Sequence, residues 1–393
     1  MRVETDILII GGGVAGLAAT AAFAARGHKA ICVDRAPAEA GMRDTRTTAF
    51  LKPAVAVLED AGVWPLLSGE TAALNVMRLI DAGGVENAVR EIADFASDEI
   101  GEPPFGWNVP NAAMRRALNE RIAQLETAEL RAETALDDLV VRRDVALARL
   151  SDGTTAKAKL IIGADGRNST IRDLAGIDAR RWDYGQKALV FTVGTEEPHF
   201  GVSTEIHRTG GPFTLVPMPD GEEGPRASVV WMERAGEAER LAALPVPEFE
   251  EALNDRALGV HGRLKLISGR AAWPIISLIA DRLTSPRTAL IAESAHVVPP
   301  IGAQGLNMSL GDIEALMKAV AAGGGDPGAD GVLSAYQRRW PELAARVSGV
   351  DMLNRAALTE VQPLRDLRLV GLTALTQLRP AKHLAMRLGM GAR

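Results

Sequence analysis

Six consecutive residues, Gly11-Gly12-Gly13-Val14-Ala15-Gly16, put glycine at the first, third and sixth positions of a turn between the apolar run Asp6 to Ile10 and an alanine-rich segment from about Val14 to Ala25. A strand, a glycine turn and a helix in that order suit a pyrophosphate. Gly11 permits the tight turn, Gly13 lets backbone approach the phosphates, and Gly16 lets helix pack on strand. The helix start, where Ala15 lies, offers partial positive charge. Asp34 closes the next apolar run, 18 residues beyond Gly16. A carboxylate there accepts hydrogen bonds from ribose hydroxyls and disfavours a 2′-phosphate. Arg35 beside it is a second candidate contact. The fingerprint specifies a dinucleotide and leaves NAD and FAD open.

Two distant segments carry related marks. Gly163-Ala164-Asp165-Gly166-Arg167-Asn168-Ser169-Thr170-Ile171-Arg172 follows the buried-strand pattern beginning at Leu160. Ala292-Glu293-Ser294-Ala295-His296-Val297-Val298-Pro299-Pro300-Ile301-Gly302-Ala303-Gln304-Gly305-Leu306-Asn307 follows a second such run, Thr288 to Ile291. The first matches G-A-D-G-x-x-S-x-x-R throughout. The second is similar to G-D-A-A-H-x-x-P-P-x-G-A-x-G-x-N. Together with the glycine turn they resemble, in order, the motifs of the FAD-dependent aromatic-ring monooxygenases of the para-hydroxybenzoate hydroxylase fold, and most of all the hydroxylases of ubiquinone biosynthesis.

The resemblance implies FAD as cofactor, clasped by three remote stretches of chain. Asp165 is expected near the pyrophosphate and ribityl chain, Arg172 at the start of a helix, and Glu293 at a ribityl hydroxyl. Where the family has Gly-Asp this chain has Ala292-Glu293, so Glu293 makes that contact with one extra methylene. The helix starting at Gly305, Leu306 and Asn307 is expected to aim N–H groups at flavin N1 and the C2 carbonyl. Pro300, with Pro299, stiffens the wall beside the ring. Pro300, Gly305 and Leu306 thus form the flavin-ring environment. His296 is expected to be structural, and no protein acid or base is assigned. Arg46 resembles the family arginine that meets the FAD, where a guanidinium offsets phosphate charge, and Arg115 follows a segment, Trp107 to Asn111, that in ubiquinone hydroxylases precedes a Gln or Arg near the flavin.

The implied reaction is hydroxylation of an aromatic ring by a flavin C4a-hydroperoxide formed from O2. Electrons come from NAD(P)H or another donor that docks transiently, since no second G-x-G-x-x-G follows a strand. Tyr184 and Tyr336 are the only tyrosines, and neither stands where benzoate hydroxylases place their phenol-activating pair. A polyprenylated phenol is therefore the expected substrate. Phe213, Leu215 and Pro217 are candidates to hold its ring, with plain core as the alternative.

The elements that must position these residues read as α/β: a Rossmann-like FAD-binding domain interleaved with a smaller sheet-rich substrate domain and a helical C-terminus. The expected division is 1–70, 105–180 and 280–345 for the FAD-binding domain, 71–104 and 181–279 for the substrate domain, and 346–393 for the C-terminal region. Helical patterning runs from Pro53 to Leu67 and from Ala112 to Gln124. Strand-like runs include Ala188 to Val193, Phe213 to Val216, Ala227 to Trp231 and Lys265 to Ile267. The segment Gly323 to Gly328 reads as a surface loop.

A chain of 393 residues with 47% apolar and 24% charged side chains has enough apolar material for two joined cores. The net charge of -6 disfavours a nucleic-acid partner. The single cysteine, Cys32, excludes an intrachain disulfide and reads as a buried strand residue. No metal site is expected. The N-terminus lacks the pattern of a secretory signal, so a cytoplasmic location is expected, peripheral at the inner face of the membrane. From Arg355 to Arg393, seven Arg or Lys face Glu360 and Asp366, and Leu364, Leu367, Leu369 to Leu372, Leu384, Met386 and Leu388 interleave with the basic residues. Such a tail suits an anionic membrane, a partner in a quinone-biosynthesis complex, or its own domain. The competing functions are a flavin-dependent reductase of the same fold and a non-catalytic scaffold.

Overall fold

Ile7, Leu8, Ile9 and Ile10 are all buried, as befits a parallel strand covered on both faces. The strand Arg2–Ile10 lies between Thr155–Gly163 and Ala30–Val33, parallel to both. Thr288–Leu290 extends this sheet at one side and Ala128–Arg131 at the other. An antiparallel hairpin, Leu136–Val141 and Ala146–Leu150, hangs from Thr155–Gly163. The first sheet is therefore assembled from segments far apart in sequence. The computed structural model describes residues 2–42, 44–84, 88–101, 103–208, 210–359 and 361–390.

The helix Val14–Ala24 is buried from Ala15 onward. Its small side chains let it sit between the sheet and the helices Asn111–Ala123 and Gln304–Ala322. The helical pattern expected from Pro53 to Leu67 divides into a helix, Lys52–Asp60, and a short 3-10 turn, Trp64–Leu67. Gly62, at φ +74°, breaks it, because a left-handed residue cannot continue a right-handed helix.

A second sheet runs in the order His296–Val297, Ala271–Ala280, Ala179–Thr195, Gly224–Arg234, Pro212–Gly221, Val202–His207, Val76–Asp81, Glu91–Ala96. Side chains alternate between its two faces. Leu189, Phe191, Phe213, Leu215, Val229 and Trp231 pack on one face with Leu241, Phe249 and Leu253, which belong to the helices Ala235–Ala243 and Val246–Ala257. The opposite face carries Ala188, Val190, Met232 and Ile275 against Ile301 and Val350. Further out, the same face carries Met77, Leu79, Ala93 and Phe95, which meet Leu372, Leu375 and Met386 of the C-terminal helices Gln362–Gln377 and Arg379–Gly389, and Met390 just past the second.

Two open alternatives narrow here. Phe213 and Leu215 do not face the flavin segments: they lie in the core under the outer helices, one residue out of phase with the inner face. The C-terminal tail packs one face on its own domain through Met386 and Met390. Glu360 and Arg393, and the side chains of Leu364 and Arg368, lie outside the described residues. Among the described residues, no helix is long and apolar enough to cross a membrane.

Candidate active site

The glycine turn is fixed by contacts that only glycine tolerates. Gly11 has φ +107°, and a Cβ there would stand 2.4 Å from the Ala164 carbonyl oxygen. A Cβ on Gly16 would stand 1.8 Å from the Gly11 oxygen. Gly13 differs: nothing lies within 4 Å of its would-be Cβ. It precedes a helix with no side-chain cap and no acid in its first turn, so the first N–H groups are free to meet an anion in that open space. Asp34 braces the turn by accepting from the Gly12 N–H, and its Oδ1 accepts from Ala36 N at 2.7 Å. A carboxylate has about four acceptor positions, so Asp34 keeps capacity for a ribose. Arg35 is exposed. Cys32 lies beneath the turn, its thiol pushed up to about 12 by burial.

The segment Gly163 to Arg172 stands directly against this turn, since a Gly11 Cβ would also meet Asp165 Cα at 2.8 Å. Asp165 accepts from the Ser169 hydroxyl and from Ile171 N, so its carboxylate organises the start of the helix Thr170–Leu174. Arg172 reaches further: its guanidinium donates to the carbonyls of Ser294 and Arg167, both at 3.1 Å. Ser294 Oγ in turn bonds the Gly163 carbonyl at 2.6 Å. These bonds join the second and third motifs. Glu293 pairs with Arg167 at 3.2 Å and is half exposed.

Ala292 has φ +55°. The family's glycine at this place thus corresponds to a left-handed residue, and here an alanine occupies that conformation at a cost of about 1 kcal/mol. Its N–H donates to Asp312, which also accepts from His296 at 2.7 Å and from Arg339 at 2.8 Å. His296 and Asp312 are fully buried, so His296 is structural. Burial raises the Asp312 pKa, but His296 and Arg339 outweigh it and hold the carboxyl below its ordinary value.

Gly305 and Leu306 open the helix Gln304–Ala322, which has no side-chain cap and no acid in its first turn. A Cβ on Gly305 would meet nothing within 4 Å. Asn307 is committed through its side chain: it donates to the carbonyls of Ala49 and Ala303 and accepts from Leu51 N. It therefore positions the strand Thr47–Leu51 against the helix start. Pro300 is exposed and Pro299 buried.

Arg46 is gripped by Asp44, with nitrogen–oxygen distances of 2.7 to 3.1 Å. Its guanidinium lies 4.8 Å from the Trp273 ring centroid and feels the charge of Glu293. Arg115 packs on Gly41, and its Nε is buried with no hydrogen-bond partner. A buried N–H left open beside a cationic side chain fits the pyrophosphate of FAD. The free helix starts fit the same molecule at two places, Gly13 at its pyrophosphate and Gly305 at its flavin ring. Sequence reasoning missed Asp44, Arg167, Trp273, Asp312 and Arg339. Asp44 and Arg167 lay inside the segments that carry Arg46 and Asp165; Trp273 becomes visible once its strand is seen opposite Ala188 on the inner face.

Such a clasp, with a sheet roofing its open side, defines a flavin-dependent monooxygenase. The chain belongs to the FAD binding domain family, whose model matches residues 4–349. Ubiquinone hydroxylase UbiL of Rhodospirillum rubrum is 34% identical over 98% of this chain and 89% of its own. The 3-demethoxyubiquinol 3-hydroxylase of Escherichia coli is 28% identical over 98% of both chains. The p-nitrophenol 4-monooxygenase PnpA of Pseudomonas putida has the same fold, with a TM-score of 0.81 at 15% identity, covering 100% of this chain and 99% of that one.

Proposed function

We propose that this enzyme hydroxylates the aromatic ring of a polyprenylated phenol in ubiquinone biosynthesis, with O2 as co-substrate and electrons from NAD(P)H or another donor that docks transiently. The full-length similarity to ubiquinone hydroxylases, joined to an apolar inner face over the flavin segments, carries this reading. The residues 1–70, 105–180 and 280–345 form the FAD-binding unit, 71–104 and 181–279 the substrate unit, and 346–393 the C-terminal unit.

FAD would lie along Gly11, Gly13, Ala15 and Gly16, with its ribose at Asp34 and Arg35 and its pyrophosphate beside Arg115 and Asp165. Arg46 and Glu293 would flank the ribityl and ring region. Gly305, Leu306 and the main chain of Asn307 would face the flavin ring, with Pro300 as its wall. Bound FAD supplies the electrophilic oxygen that it draws from O2. The protein orients the ring and excludes water through Val190, Val230, Met232 and Ile275.

A greasy substrate also gives meaning to the tail. Leu367, Val370, Leu378, Leu384 and Leu388 are exposed, and Arg379 and Arg387 are exposed among them. These helices would rest on an anionic membrane surface, from which the phenol is drawn. The test supplies purified holoenzyme with a short-chain 2-prenylphenol, NADH with a reductase, and isotopically labelled O2. One labelled ring hydroxyl is expected. Reduction of the prenyl double bond without oxygen uptake would replace this proposal with a reductase.

A further inference from the structure

The inner face of the second sheet is covered at both ends and open between them. At one end Val190, Met232 and Ile275 pack on Ile301 beside the flavin segment. At the other, Met77, Leu79 and Phe95 pack under the C-terminal helices. Between them His207, Thr214, Val216 and Val230 are only half buried. One ionisable pair stands in this strip. Glu205 Oε1 lies 2.6 Å from His207 Nε2, with both side chains on one face of the strand Val202–His207.

Strand register locates the pair relative to the flavin. Glu205 stands opposite Thr214, Thr214 opposite Val230, and Val230 opposite Val190. Directly opposed residues share a face, so Glu205 belongs to the row that ends in the cluster around Ile301. Two strand spacings, about 10 Å, separate it from Val230, with the Thr214 side chain between them on the same face.

The polar bonding at this corner is incomplete. His207 Nδ1 is buried with no partner, while its Nε2 is engaged with Glu205. Glu205 Oε2 makes no hydrogen bond among the described residues. On the neighbouring strand His207 stands opposite Asp81, which is held by Arg90. Arg90 also bonds the Arg365 carbonyl of the covering helix, and Arg365 itself is buried with Nε and one Nη unpartnered. Buried polar atoms without partners, His207 Nδ1 and the two Arg365 nitrogens, call for a physical role, and a catalytic one is among those that account for them.

Resting on the function proposed above, we infer that Glu205 is the base that receives the substrate's phenolic proton, with His207 as its positioning residue. The phenol O–H bond breaks and an O–H bond forms on Glu205 Oε2. The electron pair stays on the phenolic oxygen and enriches the ring that is about to form its new C–O bond. When the hydroxylated ring loses its ring hydrogen as a proton to solvent, Glu205 returns its own proton to the phenolic oxygen and the pair is restored.

The experiment compares FAD-loaded wild type with Glu205→Gln on 2-prenylphenol and on ring-fluorinated analogues of rising acidity. Glu205→Gln should lower the hydroxylation rate by about 100-fold on the parent phenol, with KM nearly unchanged. The deficit should shrink steadily as the phenol becomes more acidic. His207→Gln, which keeps an N–H donor for Glu205, should retain most activity, whereas His207→Leu should fall towards the Glu205→Gln rate. FAD affinity reports folding in each variant. A loss of equal size on every phenol, equal effects of His207→Gln and His207→Leu, or no loss at all would overturn the assignment. If wild type hydroxylates none of these phenols, the proposed function fails instead, and the two failures are told apart by that control.

Discussion

The two turns of the candidate cofactor site reach left-handed backbone by different means. At Gly11 the chain uses glycine because a side chain is sterically excluded: its Cβ would collide with Ala164 backbone. At Ala292 the chain uses alanine at φ +55°, in the small left-handed region that an L-residue can occupy at modest cost. What holds Ala292 there is its N–H bond to the buried Asp312, itself locked by His296 and Arg339. One turn is enforced by space and the other by a polar hub. Their sensitivities to mutation should differ accordingly.

The largest effect should come from removing the hub. Asp312→Ala leaves the buried His296 and Arg339 without their shared acceptor, and such losses cost about 3–5 kcal/mol. Denaturant unfolding of wild type and variant measures it. The hub also carries an acid dependence. The folded Asp312 carboxyl titrates below its ordinary value, so its stabilisation is complete above about pH 4 and is lost as pH falls through the folded value. The acid limb of the stability curve should flatten in Asp312→Ala; an unchanged limb would remove the hub from the comparison.

At the first turn, Gly16→Ala should weaken FAD binding by about 100-fold, the equivalent of about 3 kcal/mol of overpacking. Flavin fluorescence titration reads this directly. Gly13→Ala should cost less in the empty protein, where its Cβ meets nothing, yet still impair FAD. Equal unfolding free energies for Gly16→Ala and Gly13→Ala would contradict the steric account. Arg115→Ala should weaken FAD by about 10-fold through loss of a charge-assisted bond, without lowering the stability of the empty protein.

The sequence made the clasp readable because glycine, proline and buried strands leave local signatures. Gly11, Gly13 and Gly16 and the Asp165 turn each sit within a few residues of the strand that defines them, and the proline pair Pro299-Pro300 announces the helix start at Gly305. The substrate face has no such signature. Phe213 and Thr214 are adjacent in sequence, and only the pairing of their strand shows that the threonine faces inward. A one-residue change of phase exchanges the faces, and composition carries no record of phase. The Asp312 hub was hidden for another reason: its members, His296, Asp312 and Arg339, come from three elements that meet only in the folded chain.

Ala292→Gly is the smallest perturbation and the sharpest comparison between the turns. Glycine adopts φ +55° without the Cβ penalty, worth about 1 kcal/mol, but it also gives the unfolded chain more freedom, which takes back a few tenths. A net gain of about 0.5 kcal/mol in unfolding free energy is therefore expected. The gain should shrink in the Asp312→Ala background, because alanine can leave the left-handed region once the hub that holds it there is gone. Equal gains in the two backgrounds would mean that Asp312 contributes nothing to the conformation at 292. A loss of stability in wild type would mean that the alanine methyl packs in ways that outweigh its backbone cost.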